Sequence, residues 1–303
     1  MHSIALFFPE EYRRKLQELW YERDLREIRI RAGKPLLYIV GQTEKVACFD
    51  GDPIVFWQED IKKILYQICN YSVYAFEEER KQGFMTLQGG HRLGIAGKTV
   101  IDNGKIISFQ TLSGLHIRVA HEIMGIADGI LPFLYEKNRP VGTLIISPPG
   151  YGKTTLLREL TRNFSNGTVY GKGINLTVVD ERSEIGGCFR GKPENDLGIR
   201  TDILDGCPKI LGIMMAIRAL TPDMIVLDEI GTNKEAEEIA KAVCCGVHFL
   251  LTAHGESVRD IQCRFPDSFF QMGKIKRMIL LEKEEGRVRY KVWNVEEGRM
   301  VYE

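Results

Sequence analysis

The stretch Ser147-Pro148-Pro149-Gly150-Tyr151-Gly152-Lys153-Thr154-Thr155 decides the fold. Before it, Val141-Gly142-Thr143-Leu144-Ile145-Ile146 is an apolar, β-branched run that predicts a buried strand. After it, Leu156-Leu157-Arg158-Glu159-Leu160 opens an amphipathic helix. A strand, a glycine turn, Lys-Thr and a helix in that order make a phosphate-binding loop. Gly150 and Gly152 let the backbone turn its N–H groups inward onto phosphate oxygens, and the helix N-terminus adds partial positive charge at the same point. Lys153 is expected to stand as a solvent-facing charge in the empty loop and to reach the β- and γ-phosphates. The Thr154 hydroxyl is expected on Mg²⁺. Ser147 replaces the usual first glycine of G-x-x-x-x-G-K-[ST], and it is small enough to be tolerated at a strand end. ATP or GTP is the ligand this pattern takes.

Composition narrows the class. The 303 residues suggest two domains with room for a substantial core. Charge balances at 41 basic and 41 acidic residues, and residues 1–140 carry 19 against 18. No global field therefore points to a nucleic-acid partner, though a local patch stays open. The seven cysteines include no C-x-x-C pair, so buried thiols in a reducing cytosol are expected, not a zinc site or a disulfide framework. Met1 to Pro9 lacks the basic n-region of a signal peptide, and its apolar stretch is far below the ~20 residues of a membrane span. A cytoplasmic protein, at most peripherally associated with the inner membrane, is expected.

Working outward, residues 1–136 read as a smaller N-terminal α+β domain and 137–303 as the nucleotide-binding domain. In the first, Glu10 to Tyr21 reads as a helix, and an alternating, half-exposed strand at Arg26–Arg31 turns at Ala32–Pro35 and returns through Leu36–Val40. Ile61, Ile64, Leu65 and Ile68 mark a second helix, and Ser72 could cap a third that runs to Gly83. Phe84 to Val119 reads as an antiparallel meander with a hairpin at Asn103-Gly104. Gly89, Gly90, Gly94 and Gly97 open no helix and read as strand bends. Arg118 reads as a solvated strand residue, and as a phosphate contact only if this domain folds over the nucleotide. Glu122 to Tyr135 is expected as a helix and 136–140 as the linker.

The second domain repeats the apolar-strand-then-acid pattern. Ile174 to Val179 ends in Asp180-Glu181-Arg182-Ser183-Glu184, and Met224-Ile225-Val226-Leu227 ends in Asp228-Glu229. Such strands deliver carboxylates to the carboxyl edge of a parallel sheet, where ligands bind. About seventy residues after a phosphate loop, Asp228 suits the Mg²⁺ shell and Glu229 the attacking water. Residues 186–207 read as a long loop, long enough to suspect function. A Met-rich helix from Pro208 to Leu220 follows. His254 ends the strand Val247–His254 and is a candidate γ-phosphate sensor. Lys276 to Val295 reads as a hairpin.

These motifs resemble the stage III sporulation protein AA family of endospore-forming bacteria, and beyond it the hexameric ATPases of type II and type IV secretion. The resemblance rests on Gly83–Leu87, Val179–Glu184, Arg200–Cys207 and Thr221-Pro222-Asp223 leading into Asp228-Glu229-Ile230-Gly231. It covers nearly the whole chain. It implies an α/β fold with a RecA-like P-loop ATPase core, Mg²⁺ and ATP as ligands, and a hexameric ring. It also implies work at the channel between mother cell and forespore, with an integral-membrane partner of the secretion-platform type. Glu229 corresponds to the glutamate of the family's Gly-Glu-Ile-Arg stretch, with Asp228 where those enzymes often carry glycine. Glu181 stands in their acidic box, a supporting role, and His254 in their histidine box. Arg200 lies where such families place arginines that reach a neighbour's phosphates.

The competing reading on the same core is a nucleic-acid-dependent motor or recombinase. The neutral halves and the lack of basic runs interleaved with aromatics speak against it, so no nucleic acid is expected. A nucleotide switch without turnover has no need of the paired acids, and a small-molecule kinase has no acceptor pocket in sequence.

Overall fold

In this computed structural model, the described residues are 3–68, 84–102, 104–121, 123–189, 191–243, 246–266, 269–270, 274–284 and 287–303. They divide into two compact units, Met1–His121 and Glu122–Glu303. The division falls fifteen residues before the linker expected at 136, because Ala127, Ile130, Leu131 and Leu134 pack into the core of the second unit. The expected helix over 122–135 is instead a run of turns and one 3-10 turn at Leu131–Leu134. Gly125 at φ +80° and Pro132 at the start of that turn are poor material for a continuous helix.

The first unit opens with a 3-10 turn at Ser3–Phe7, followed by helix α1 (Glu10–Lys15) and a 3-10 turn at Leu19–Tyr21, so the single helix expected over 10–21 is broken. Strands β1 (Leu25–Arg31), β2 (Leu37–Val40) and β3 (Thr43–Val46) precede helix α2 (Gln58–Ile68). Strands β4 (Phe84–Thr86), β5 (Arg92–Asp102) and β6 (Lys105–Arg118) follow. They form one antiparallel sheet in the order β3-β2-β1-β6-β5-β4. The expected meander is its second half, and Lys105 pairs with Asp102 at the hairpin. Gly97 sits at a bulge, where a Cβ would lie 2.1 Å from the Thr111 carbonyl oxygen. The helix expected after Ser72 lies outside the described residues.

The second unit is doubly wound. Strands β7 (Gly142–Ser147), β8 (Leu176–Asp180), β9 (Thr201–Asp205), β10 (Met224–Leu227), β11 (His248–His254) and β12 (Ile275–Glu284) run parallel. Strands β13 (Arg287–Asn294) and β14 (Arg299–Tyr302) add an antiparallel edge. The order is β9-β8-β10-β11-β7-β12-β13-β14. Helices α3 (Lys153–Asn166), α4 (Lys209–Met215) and α5 (Asn233–Val243) and the short α6 (Val258–Arg264) cover it. Leu144 and Ile146 of β7 join the core that holds Ile213, Ile239 and Phe249, while Ile145 between them joins Leu156, Leu160 and Phe164. That alternation is the two-residue period of a strand covered on both faces.

Residues 186–207 are not all loop: β9 ends that stretch as the sheet's edge strand. Its burial is only partial, so the apolar signal that marks the central strands is missing. Among the described residues, no helix is long and apolar enough to cross a membrane.

Candidate active site

Strand β7 delivers Ser147 fully buried to the carboxyl edge of the sheet, in register with His254 at the end of β11. The Ser147 hydroxyl donates to the Pro148 carbonyl at 2.8 Å, which ties the strand end to the turn. Gly150 (φ +79°) and Gly152 (φ +92°) then take left-handed backbone, and no atom stands within 4 Å of where either Cβ would be. Pro148, Pro149 and Tyr151 complete the loop, and Lys153, Thr154 and Thr155 form the first turn of α3. The result is an open backbone concavity at a helix N-terminus, shaped for an anion.

Lys153 is not the solvent-facing charge expected from sequence. It is buried, and its Nζ donates to Ser147 O at 3.3 Å, to Pro148 O at 3.5 Å and to His254 Nδ1 at 2.9 Å. Burial pushes its pKa down, against the opposing pull of Asp228 and Glu229. Among the described residues, no carboxylate bonds to it directly. A buried ammonium held only by carbonyls and an imidazole still lacks an anionic partner.

The carboxylates come from the neighbouring strands, as their order requires. Thr154 Oγ1 donates to Asp228 Oδ2 at 2.9 Å, and the Thr252 hydroxyl donates to Asp228 Oδ1. Thr252 Oγ1 also accepts from the Glu229 N–H at 2.7 Å. Glu229 is a non-glycine residue at φ +53°, a conformation that persists only where the surroundings impose it. Its Oε1 stands 3.4 Å from His254 Nε2 and its Oε2 3.1 Å from Arg182 Nη1. Since His254 Nδ1 accepts from Lys153, the Nε2 position carries the proton that faces Glu229.

Asp180 and Glu181 part company at the end of β8. Asp180 is buried and accepts the backbone N–H groups of Glu184, Ile185 and Gly186, each at 2.8 Å. It organises the turn. Glu181 lines a small cleft with Glu229 and Lys209, and its Oε2 lies 3.6 Å from Lys209 Nζ. Arg182 and Lys209 are the residues that sequence reading missed. Arg182 carried the faint signal of adjacency to the acidic box; Lys209 carried none beyond its place at the start of the Met-rich helix.

Arg200 is not brought to this edge. It precedes β9 at the amino edge, where its Nη1 donates to Ser165 O at 2.9 Å. The five residues of β9 separate it from the carboxyl edge, roughly 16 Å at about 3.3 Å per residue. Arg118 is exposed on β6 in the first unit.

The donor set fits Mg²⁺ with a nucleotide. One hydroxyl and one carboxylate converge at Thr154 and Asp228, and among the described residues no group of three or more His, Cys, Asp or Glu side chains is arranged to hold a metal ion by itself. Mg²⁺ bound through one carboxylate takes its other ligands from phosphates and water, which the open loop leaves room for.

Similarities to known proteins agree with this geometry. Stage III sporulation protein AA of Bacillus subtilis (strain 168) is 40% identical over 268 residues, covering 87% of this chain and 85% of that protein. Protein SEEDLING PLASTID DEVELOPMENT 1 of Arabidopsis thaliana is 32% identical over 178 residues, 58% of this chain and 25% of that one. Among solved structures, the ATPase DotB of Legionella pneumophila superposes with TM-score 0.61 at 13% identity, covering 94% of this chain and 80% of its own. The pilus retraction motor PilT with bound ADP superposes with TM-score 0.57 at 14% identity, covering 95% and 82%. At these identities the structural likeness establishes the fold alone, a RecA-like core such as DotB and PilT have. The model of the family described as Sporulation stage III, protein AA matches residues 4–300, and the chain belongs to that family.

Proposed function

We propose that this chain is a Mg²⁺-dependent ATPase that acts as a hexameric ring at the membrane between mother cell and forespore. It there powers assembly of a channel or transport through it, on an integral-membrane partner of the secretion-platform type. The observation that carries the catalytic part is one continuous set of contacts, Asp228–Thr154 and Lys153–His254–Glu229, at the mouth of the phosphate loop. In this reading Lys153 and the loop N–H groups bind the β- and γ-phosphate oxygens. Thr154 and Asp228 hold Mg²⁺, which neutralises phosphate charge when bound. Glu229 takes the proton of the attacking water, and His254 couples the base to Lys153 and so senses the γ-phosphate. Glu181 supports from the neighbouring strand.

Arg200 lies on the far edge from its own loop, so any action on a phosphate must be in trans, at a ring boundary. Membership of a sporulation family and a secretion-ATPase fold support the site of action.

The test is hydrolysis by the purified full chain. Glu229→Gln keeps size but removes the charge that polarises water; it is expected to bind ATP and to hydrolyse it ~10²-fold more slowly. Glu181→Gln is expected to cost less. If Glu181→Gln traps ATP while Glu229→Gln turns over, the two roles exchange. No turnover by assembled wild-type chain with Mg²⁺ overturns the ATPase reading. Stimulation by a membrane partner's cytoplasmic region, and none by DNA or RNA, is expected.

A further inference from the structure

Glu229 needs its unusual backbone held in place, and the structure supplies the holder. Lys209, the first residue of α4, turns its ammonium back into the site with a side chain only 14% exposed. Its Nζ donates to the Glu229 carbonyl oxygen at 2.8 Å and to Glu235 Oε1 at 3.1 Å, and it lies 3.6 Å from Glu181 Oε2. Glu235 in turn holds the next residues: its Oε2 accepts from Gly231 N at 3.0 Å, Thr232 N at 2.9 Å and Thr232 Oγ1 at 2.9 Å. The Thr232 hydroxyl returns the bond by accepting from Glu235 N at 3.2 Å. Thr232-Asn233-Lys234-Glu235 is thus a reciprocal cap that starts α5. On the other side, Thr252 takes the N–H groups of Glu229 and Ile230.

The segment 229–232 is therefore clamped from three elements, and Lys209 ties α4 both to the Glu229 carbonyl and to Glu235. Burial alone would raise the pKa of Glu235. The Gly231 and Thr232 N–H groups and the Lys209 ammonium outweigh it and hold that carboxyl below its usual range. An ammonium offers three donors, and here two are spent on Glu229 and Glu235 while the third faces Glu181. A methionine of similar length would leave the Glu229 carbonyl and two carboxylates without their cation.

We propose that Lys209 is a positioning residue: it fixes the left-handed backbone of Glu229, and so sets where that carboxylate stands relative to His254 and the attacking water. The proposal rests on the reading of Glu229 as the base, so its test has one readout that does not depend on turnover.

Lys209→Met and Lys209→Arg are made in the full chain, and amide hydrogen exchange is followed at residues 229–232, with α3 as the reference. Lys209→Met is expected to speed exchange at 229–232 by about tenfold or more while α3 stays protected, and Lys209→Arg by less. The same Met variant is expected to lose roughly tenfold or more in kcat with its Kd for ATP nearly unchanged, and Arg to recover part of it. In a Glu229→Gln background the Met change should cost almost nothing further, since coupled residues are not additive. Unchanged exchange at 229–232 overturns the proposal whatever the protein hydrolyses. Faster exchange with wild-type kcat, when Glu229→Gln is slow, overturns its catalytic consequence. If Glu229→Gln turns over normally, the assignment of the base has failed, and exchange alone judges Lys209. If Lys209→Met loses protection in α3 as well, Lys209→Arg and Glu235→Gln carry the same comparison.

Discussion

Asp180 shows how one residue can be set against itself. Burial raises its pKa from 3.8 to about 6, the N–H groups of Gly186, Glu184 and Ile185 pull it back, and Asp205 adds to the rise. A carboxyl whose folded pKa is raised binds more protons in the native state, so its stabilising effect is complete below about pH 4 and lost as pH passes 6. The difference corresponds to about 3 kcal/mol. Urea melts of wild type and Asp180→Asn between pH 4 and 7 should therefore differ in slope, with the wild type alone losing this component as pH rises. Parallel slopes would show that Asp180 titrates normally. Lys153 is the opposite case. Burial lowers its pKa, so the fold disfavours its charge, and Lys153→Ala should abolish hydrolysis without lowering the melting temperature. Wild-type turnover in that variant, with a native melting curve, means the phosphate-loop assignment is wrong.

Among the elements, α4 matters most for its size. Its seven residues lie against β8, and Gly212 meets Val179 so closely that a Cβ there would fall 2.3 Å from Val179 Cγ1. Gly212→Ala must push the helix off the sheet, at a cost of about 1–3 kcal/mol for overpacking. Because Lys209 begins the same helix, thermal melts should show the loss and kinetics should show a lower kcat. A stable variant with full activity would separate α4 from the site. Elements were legible in sequence to the extent that they are buried. Strands β7, β8, β10 and β11 are apolar runs with sharp ends, and all four were read correctly. Strand β9 was missed because an edge strand keeps a mixed pattern. The helix expected over 122–135 failed for a related reason. Ala127, Ile130, Leu131 and Leu134 have helical spacing, yet they are buried as a series of turns against α3, with Gly125 N donating to Glu159 Oε1 at 2.7 Å.

For the whole molecule the prediction concerns assembly. Mixing Arg200→Ala subunits with Lys153→Ala subunits should restore part of the activity that each lacks alone, because one kind of boundary would then pair an intact loop with an intact arginine. An arginine in trans can be worth ~10³ in rate. Full activity from a strict monomer, independent of concentration, rules this out. The sequence by itself determined the glycine turn between β7 and α3 and the carboxylates at the strand ends, since each is written within a few neighbouring residues. Only the tertiary structure decided that Lys153 is buried against His254, that Arg182 reaches Glu229 across 47 positions, and that Lys209 holds the Glu229 carbonyl. It also decided that Arg200 sits at the opposite edge from the loop. The reason is geometric. A parallel sheet brings to one edge residues separated by whole crossovers, and which long side chains meet there depends on register and helix packing, which no local pattern records.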